Sequence, residues 1–407
     1  MSSLDRPVWW RGPWNRGLRF ATRLGWQGMG LDAEYLIGAA RKEAKLEDLG
    51  DPEFVEAMHL LLREFEANAG ADPAGRQLFG QMVIGSLKNR LRITRAFAER
   101  PAIARVPIPA PIFIVGLPRT GTTFLQGLLA AQGGLRTPLR WETDLTADPP
   151  AVARKRDVKA QVRVAKMQSG FINGLSPGLP LAHPIGALLP EECNPLLMSS
   201  FRALLFTTFF PSAAYHDYLY ASRFAHAYEW HKRHLQVLSF NAPPVTWSLK
   251  APVHMASLDE LLEVYPDARV VFTHRDPLAV LPSMCALTIA LRRLISPVQD
   301  RIALGRELMR NLPRMFDAGH AVRERWPAHT PRFADVRYDD LVADPAGTVR
   351  AILRHFDLPH DDVDGAVQRF LVEDAKHKRG RHSYRLADFG LDADEIRTTF
   401  AREYALL

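Results

Sequence analysis

The chain has 407 residues, 47% of them hydrophobic and 24% charged, a composition of ordinary globular proteins that excludes global disorder, collagen-like repeats and a long coiled coil. Its 52 Lys and Arg against 45 Asp and Glu give a formal charge of +7. The basic residues are dispersed, without the aromatic-interleaved stripe of a nucleic-acid binder, so a multiply charged small anion is the expected partner and no nucleic acid is.

Two cysteines, Cys193 and Cys285, lie far apart. They form neither a disulfide framework nor a metal-ligand spacing, and a reducing cytoplasm and no metal are expected. The start of the chain is charged where a signal peptide would be apolar, and no run of 18 apolar residues follows, so neither secretion nor a membrane span is expected. Residues 8–23, rich in Trp and Arg, fit two readings: a peripheral membrane-surface helix or an arm packed on the domain.

Residues 1 to about 105 carry apolar side chains at helical spacing, as in DPEFVEAMHLLLREFEANA, and show no chemistry. Pro107, Pro109 and Pro111 break that pattern, which sets a boundary near residue 108: a helical N-terminal region over 1–108 and an α/β domain over 109–407. IFIVG then reads as a strand buried on both faces. A turn follows, and in FLQGLLAAQ the side chains Phe124, Leu125, Leu128 and Leu129 share one helical face. Residues 151–244 read as a long helical insertion broken by prolines. Strand signals return in VTWSLK, ARVVFTH and RFADVRY, with helical segments between them. Such alternation indicates a parallel sheet flanked by helices.

The turn after IFIVG carries the chemistry. In Gly116-Leu117-Pro118-Arg119-Thr120-Gly121-Thr122-Thr123 two glycines let the backbone wrap an anion, and the amides opening the next helix point at it. The loop is P-loop-like, but Thr122 stands where a nucleotide-hydrolysing P-loop has its lysine. Arg119 is the only cation in the loop. A metal-free cradle for one phosphate and a weakly basic group suits that arrangement better than the Mg²⁺-neutralised phosphates of a kinase.

A second cluster follows ARVVFTH. Arg275 stands at the strand end, Asp276-Pro277 opens a helix, and Ser283 lies eight residues after Arg275. An arginine fork and a hydroxyl suit one phosphate group.

Together these motifs resemble the sulfotransferases that use 3'-phosphoadenosine 5'-phosphosulfate (PAPS), over residues 109 to about 385. The resemblance is nearest to a bacterial branch with G-x-P-R-T-G-T-T, P-E-E-C, L-K-x-P-x-H and T-H-R-D-P. It implies that Pro118, Arg119, Thr120, Gly121, Thr122 and Thr123 hold the 5'-phosphosulfate, and that Arg275 and Ser283 hold the 3'-phosphate. Lys378-Arg379-Gly380 stands where better-studied cytosolic members have R-K-G, and Arg379 and Gly380 carry over as donor ligands. Those members also have lysine at the position of Arg119. The implied reaction is direct in-line transfer to a hydroxyl of a small-molecule, lipid or glycan acceptor, with 3'-phosphoadenosine 5'-phosphate (PAP) as product.

Such a transfer needs a base for the acceptor proton and positive charge on the bridging oxygen. Glu191 and Glu192, after Pro190 and amid low-polarity chain, lead as the base. His254, four residues after Lys250, is the second candidate, and a buried structural histidine is the alternative at that position. His183 is a third. Lys250, at the carboxyl edge of its strand, would touch the sulfuryl group. Asp339, Asp340 and Asp344 read as capping and solvated residues. The competing functions are a P-loop small-molecule kinase and a non-catalytic nucleotide-binding or membrane-surface protein.

Overall fold

The computed structural model describes residues 11–24, 28–144, 155–176, 179, 185–326, 330–377 and 385–407. Five strands, β1 (Ile112–Gly116), β2 (Leu135–Arg136), β3 (Thr246–Lys250), β4 (Arg269–His274) and β5 (Phe333–Arg337), form one sheet in the order β2-β3-β1-β4-β5. Every neighbouring pair runs parallel. The three strand signals after IFIVG are β3, β4 and β5. The two-residue β2 has too few residues to carry a periodicity and is absent from the sequence reading.

β1 explains why helices cover both faces. All five of its residues are buried, and alternate side chains enter opposite layers. Phe113 and Val115 join one apolar cluster, while Ile112 and Ile114 join the other with Leu125, Leu128 and Leu129 of the helix Thr122–Ala130. The first cluster also takes in Phe65, Phe79, Leu87 and Leu91 from the helices Phe54–Asn68 and Pro73–Glu99. The N-terminal helices therefore share a core with the sheet.

Between Lys155 and Ser239 the described residues form the helices Lys155–Leu175, Asn194–Met198, Ala213–Ala221 and Ala225–Ser239 and a 3-10 turn. The helix Arg11–Arg23 is fastened to the body: Arg11 forks onto Asp72, Nε to Oδ2 and Nη2 to Oδ1, both at 2.7 Å, and Asn15 donates to Asp72. The packed-arm reading thus describes its inner face. Asp344 accepts from the Gly347 amide at 2.8 Å as a helix cap, and Asp339 and Asp340 are exposed in the first turn of Tyr338–Ala343, as expected. Among the described residues no helix is long and apolar enough to cross a membrane.

Candidate active site

The chain crosses from β1 to the β2 side and later returns to β4 on the other side, so the carboxyl end of β1 is the switch point where open α/β sheets bind ligands. Local backbone demands explain the glycines there. Gly116 has φ +144°, and a Cβ on it would lie 2.3 Å from the Thr273 hydroxyl and 2.5 Å from its carbonyl oxygen. Gly121 has φ +89°, with a Cβ position 2.9 Å from the Tyr338 ring. Arg119 adopts φ +72° without being glycine, a left-handed conformation that surrounding contacts must hold.

Those contacts are visible. Thr120 is buried; its hydroxyl donates to the Leu117 carbonyl at 2.7 Å and lies 2.6 Å from the Thr273 hydroxyl, which donates to the Val115 carbonyl. This side chain shapes the loop. Arg275 donates through Nη1 to the Arg119 carbonyl at 2.7 Å, and Arg119 Nε donates to the Ser283 hydroxyl at 3.0 Å. Arg119, Arg275 and Ser283 therefore meet at one place, although 164 residues separate the loop arginine from the serine. Asp276 caps the helix Pro277–Arg292 by accepting from the Leu278 amide at 2.9 Å.

On the other flank of β1, Lys250 is buried at the end of β3. Its Nζ donates to the Thr123 hydroxyl at 3.1 Å and is also hydrogen-bonded to Glu192 Oε1. Glu192 Oε2 accepts from Asn194 at 2.5 Å. Glu191 turns aside: its Oε2 accepts from Arg140 Nη1 at 3.4 Å, its Oε1 from the Glu192 amide at 3.0 Å. Backbone bonds fix this segment against the sheet, from the Cys193 amide to the Lys250 carbonyl at 2.9 Å and from the Glu191 amide to the Pro138 carbonyl at 2.8 Å. The two glutamates precede the helix Asn194–Met198 without capping it. Of the pair, Glu192 is the one joined through Lys250 to the 116–123 loop.

His254 sits in the 3-10 turn Pro252–Ser257, fully buried. Its Nδ1 lies 2.8 Å from the Tyr228 hydroxyl, and the Phe113 ring packs edge-on at 5.1 Å. Burial pushes its pKa down to about 3, against a smaller opposing pull from Glu192. It is a neutral, aromatic-lined core histidine. His183, Arg379 and Gly380 lie outside the described residues.

Several contacts at the site carry no signal in the sequence. The Arg275 guanidinium stacks 3.9 Å from the Tyr338 ring centroid; only the placement of Tyr338 at the edge beside β4 makes the ring a platform. Glu403, buried in the last short helix, accepts from the Arg275 amide at 3.0 Å and lies 3.1 Å from His274 Nδ1. His274 Nε2 lies 3.1 Å from Asp335 Oδ1. Burial lowers the His274 pKa, but the two carboxylates outweigh it and raise it to about 9. The terminal segment is thereby bonded to the strand end that carries Arg275, and Tyr404 adds a bond to Asp276 at 2.7 Å.

Comparison with known proteins agrees with this chemistry. Residues 111–362, more than half of the chain, match the family model described as "Sulfotransferase family". The omega-hydroxy-beta-dihydromenaquinone-9 sulfotransferase Stf3 of Mycobacterium bovis is 28% identical over 305 residues, 71% of this chain and 73% of the relative. The crystal structure of sulfotransferase STF1 from Mycobacterium tuberculosis H37Rv superposes with a TM-score of 0.81 at 30% identity, covering 93% of this chain and 100% of that one. Sulfotransferase STF9 from Mycobacterium avium gives 0.82 at 26% identity, covering 93% and 97%. With a matching family model over most of the α/β region and structural similarity over 93% of its length, the chain belongs to the sulfotransferase family and is a sulfuryl-transferring enzyme with an α/β fold.

Proposed function

We propose that this enzyme uses PAPS as donor and transfers its sulfuryl group to a hydroxyl of a small, lipid-like acceptor. The observation that carries the reading is Lys250, whose ammonium touches both Thr123 of the anion loop and Glu192. The site fits a donor of several negative charges: Arg275 and Lys250 reach a loop that carries Arg119 and whose backbone wraps through two positive-φ glycines. When bound, PAPS supplies an activated sulfur whose bond to the bridging phosphate oxygen is weak.

Arg119, Thr122, Thr123 and the amides opening the helix Thr122–Ala130 hold the 5' end, and Arg275 with Ser283 holds the 3'-phosphate. Pro118 and Gly121 set the course of the loop, and Thr120 locks it. Glu192 takes the acceptor proton as the acceptor oxygen bonds to sulfur. Lys250 stabilises the electron pair left on the bridging oxygen as the old sulfur–oxygen bond breaks, and PAP departs. Glu191, held by Arg140, orients the segment. The lipid-like acceptor is supported by the menaquinone-derived substrate in the relative's name. The exposed arginines of the helix Arg11–Arg23 fit a peripheral membrane contact.

Calorimetry with PAP in EDTA and in Mg²⁺, together with labelled PAPS and a panel of alcohols, phenols, sugars and hydroxylated prenyl lipids, tests the reading. Equal affinity in both buffers and label on a lipid hydroxyl are expected. A strict magnesium requirement with preference for ATP would overturn it.

A further inference from the structure

Exposed large apolar side chains include Leu24 at 73%, Met167 at 70%, Phe20 at 62% and Phe171 at 46%. Phe20 lies on the helix Arg11–Arg23, which Leu24 directly follows, and Met167 and Phe171 lie on the helix Lys155–Leu175; the two helices touch, with the Trp14 and Phe171 rings edge to face at a centroid distance of 5.7 Å. In the helix Lys155–Leu175, Val164, Met167 and Phe171 recur at i, i+3 and i+7 and form one outward stripe. Lys159, Arg163 and Lys166 are exposed in the adjoining stripe. Gln161, Ala165 and Ser169 face inward and are buried. In the helix Arg11–Arg23, Arg11 and Asn15 face inward, Phe20 is exposed and Leu24 follows it, Arg16, Arg19 and Arg23 are exposed, and no acidic residue is present.

A soluble helix turns such a stripe toward the core. Apolar stripes turned outward and bordered by cations are the composition of helices that lie in a membrane interface. Charge also selects the occupant. A two-fold pairing of this face with a second copy would set like patches against each other, whereas a negatively charged headgroup layer attracts them.

We infer that the helices Arg11–Arg23 and Lys155–Leu175 form one face that seats at the headgroup level of an anionic bilayer and brings the acceptor side of the site to the lipid. The inference rests on the lipid-like acceptor reading and extends the N-terminal contact to a two-helix surface. Its position supports that role. Ala165 packs on Trp141 and Ala187, and Arg140, next to Trp141, holds Glu191. One packed layer separates the face from the glutamate segment, so a lipid hydroxyl need travel only a short way from the interface.

The test is co-sedimentation of the full chain with phosphatidylglycerol-containing vesicles and with pure phosphatidylcholine vesicles. Met167→Glu/Phe171→Glu, Phe20→Glu/Leu24→Glu and the charge variant Lys159→Gln/Arg163→Gln/Lys166→Gln are compared, each checked by PAP calorimetry for a folded donor site. Binding to anionic vesicles that weakens with salt, and falls about tenfold or more in each variant, is expected. Absent or equal binding to both vesicle types, or wild-type binding by the variants, would overturn it. So would a solution dimer that the same substitutions dissociate, since a second copy would then cover the face. Vesicle binding without PAP binding would leave this surface standing and remove the PAPS reading; the reverse outcome would remove this surface alone.

Discussion

His254 and His274 flank β1 from either side, one just beyond the end of β3 and the other at the end of β4, and both are buried. Their surroundings differ. His254 meets the Tyr228 hydroxyl, Phe113 and His231, and burial leaves it neutral with a pKa near 3. His274 lies between Asp335 and Glu403, and its pKa rises to about 9. Burial penalises charge at both, and only at His274 do ionised partners repay that cost. The site divides accordingly: on the β3 flank Lys250 and Glu192 carry the charge to which we assign the reaction, while on the β4 flank a charged histidine holds the frame from which Arg275 reaches the 116–123 loop.

The largest effect should come from the β3 flank. Glu192→Gln removes the proposed base and should lower turnover by about 10² to 10⁴ while PAP affinity stays at the wild-type level. His254→Asn should cost stability and far less rate per folded molecule. Steady-state kinetics with calorimetry on both variants decides the matter, and full loss in His254→Asn beside near-normal Glu192→Gln would hand the base role to the histidine.

On the β4 flank, Glu403→Ala leaves His274 with one carboxylate and the Arg275 amide without its acceptor. Breaking a buried ion pair of this kind costs about 3–5 kcal/mol, to be read from urea unfolding, and PAP binding should weaken with it. The solvent-exposed pair Arg385–Asp388 is the contrast: removing it should change stability by no more than about 1 kcal/mol.

The remaining effect is in pH. The raised pKa of His274 contributes stability that is complete below its unfolded value of 6.5 and lost as pH climbs through about 9. Glu403, Asp335, His320 and Arg323 surround it, and His320, held neutral with a pKa near 4, adds no charge across that range. The depressed pKa of His254 acts in the other direction. Stability is present above 6.5 and declines as pH falls toward about 3, because only the unfolded chain takes up the proton. His274→Asn should flatten the alkaline arm of the melting-temperature profile and His254→Asn part of the acid arm, each by at most about 1.4 kcal/mol per pH unit. Identical profiles for the two variants would dissolve the distinction.

Much of the frame was legible along the chain because it depends on local rules. A buried strand needs a continuous apolar run, and IFIVG is one. A backbone that folds around an anion needs residues able to take positive φ, and Gly116 and Gly121 stand at those points. The interval from Arg275 to Ser283 runs from the end of β4 into the second turn of the next helix, and each reaches Arg119. The family, the α/β class and the residues gathered at the donor edge are written in such short-range patterns.

Other decisions belong to the tertiary structure. Glu191 and Glu192 are equivalent in sequence, and only the docking of their segment beside β3 turns Glu192 to Lys250 and Glu191 to Arg140. Glu403 lies 128 residues from the Arg275 amide it accepts from, and no periodicity announces such a contact. His254 lies just beyond β3 and His274 at the end of β4, yet one is neutral and the other charged. The sequence by itself determined where the backbone could cradle an anion, because φ preferences and apolar runs act over a few residues. The fold alone decided which side chains face the cradle and in what charge state, because burial and ion pairing arise only when distant segments meet.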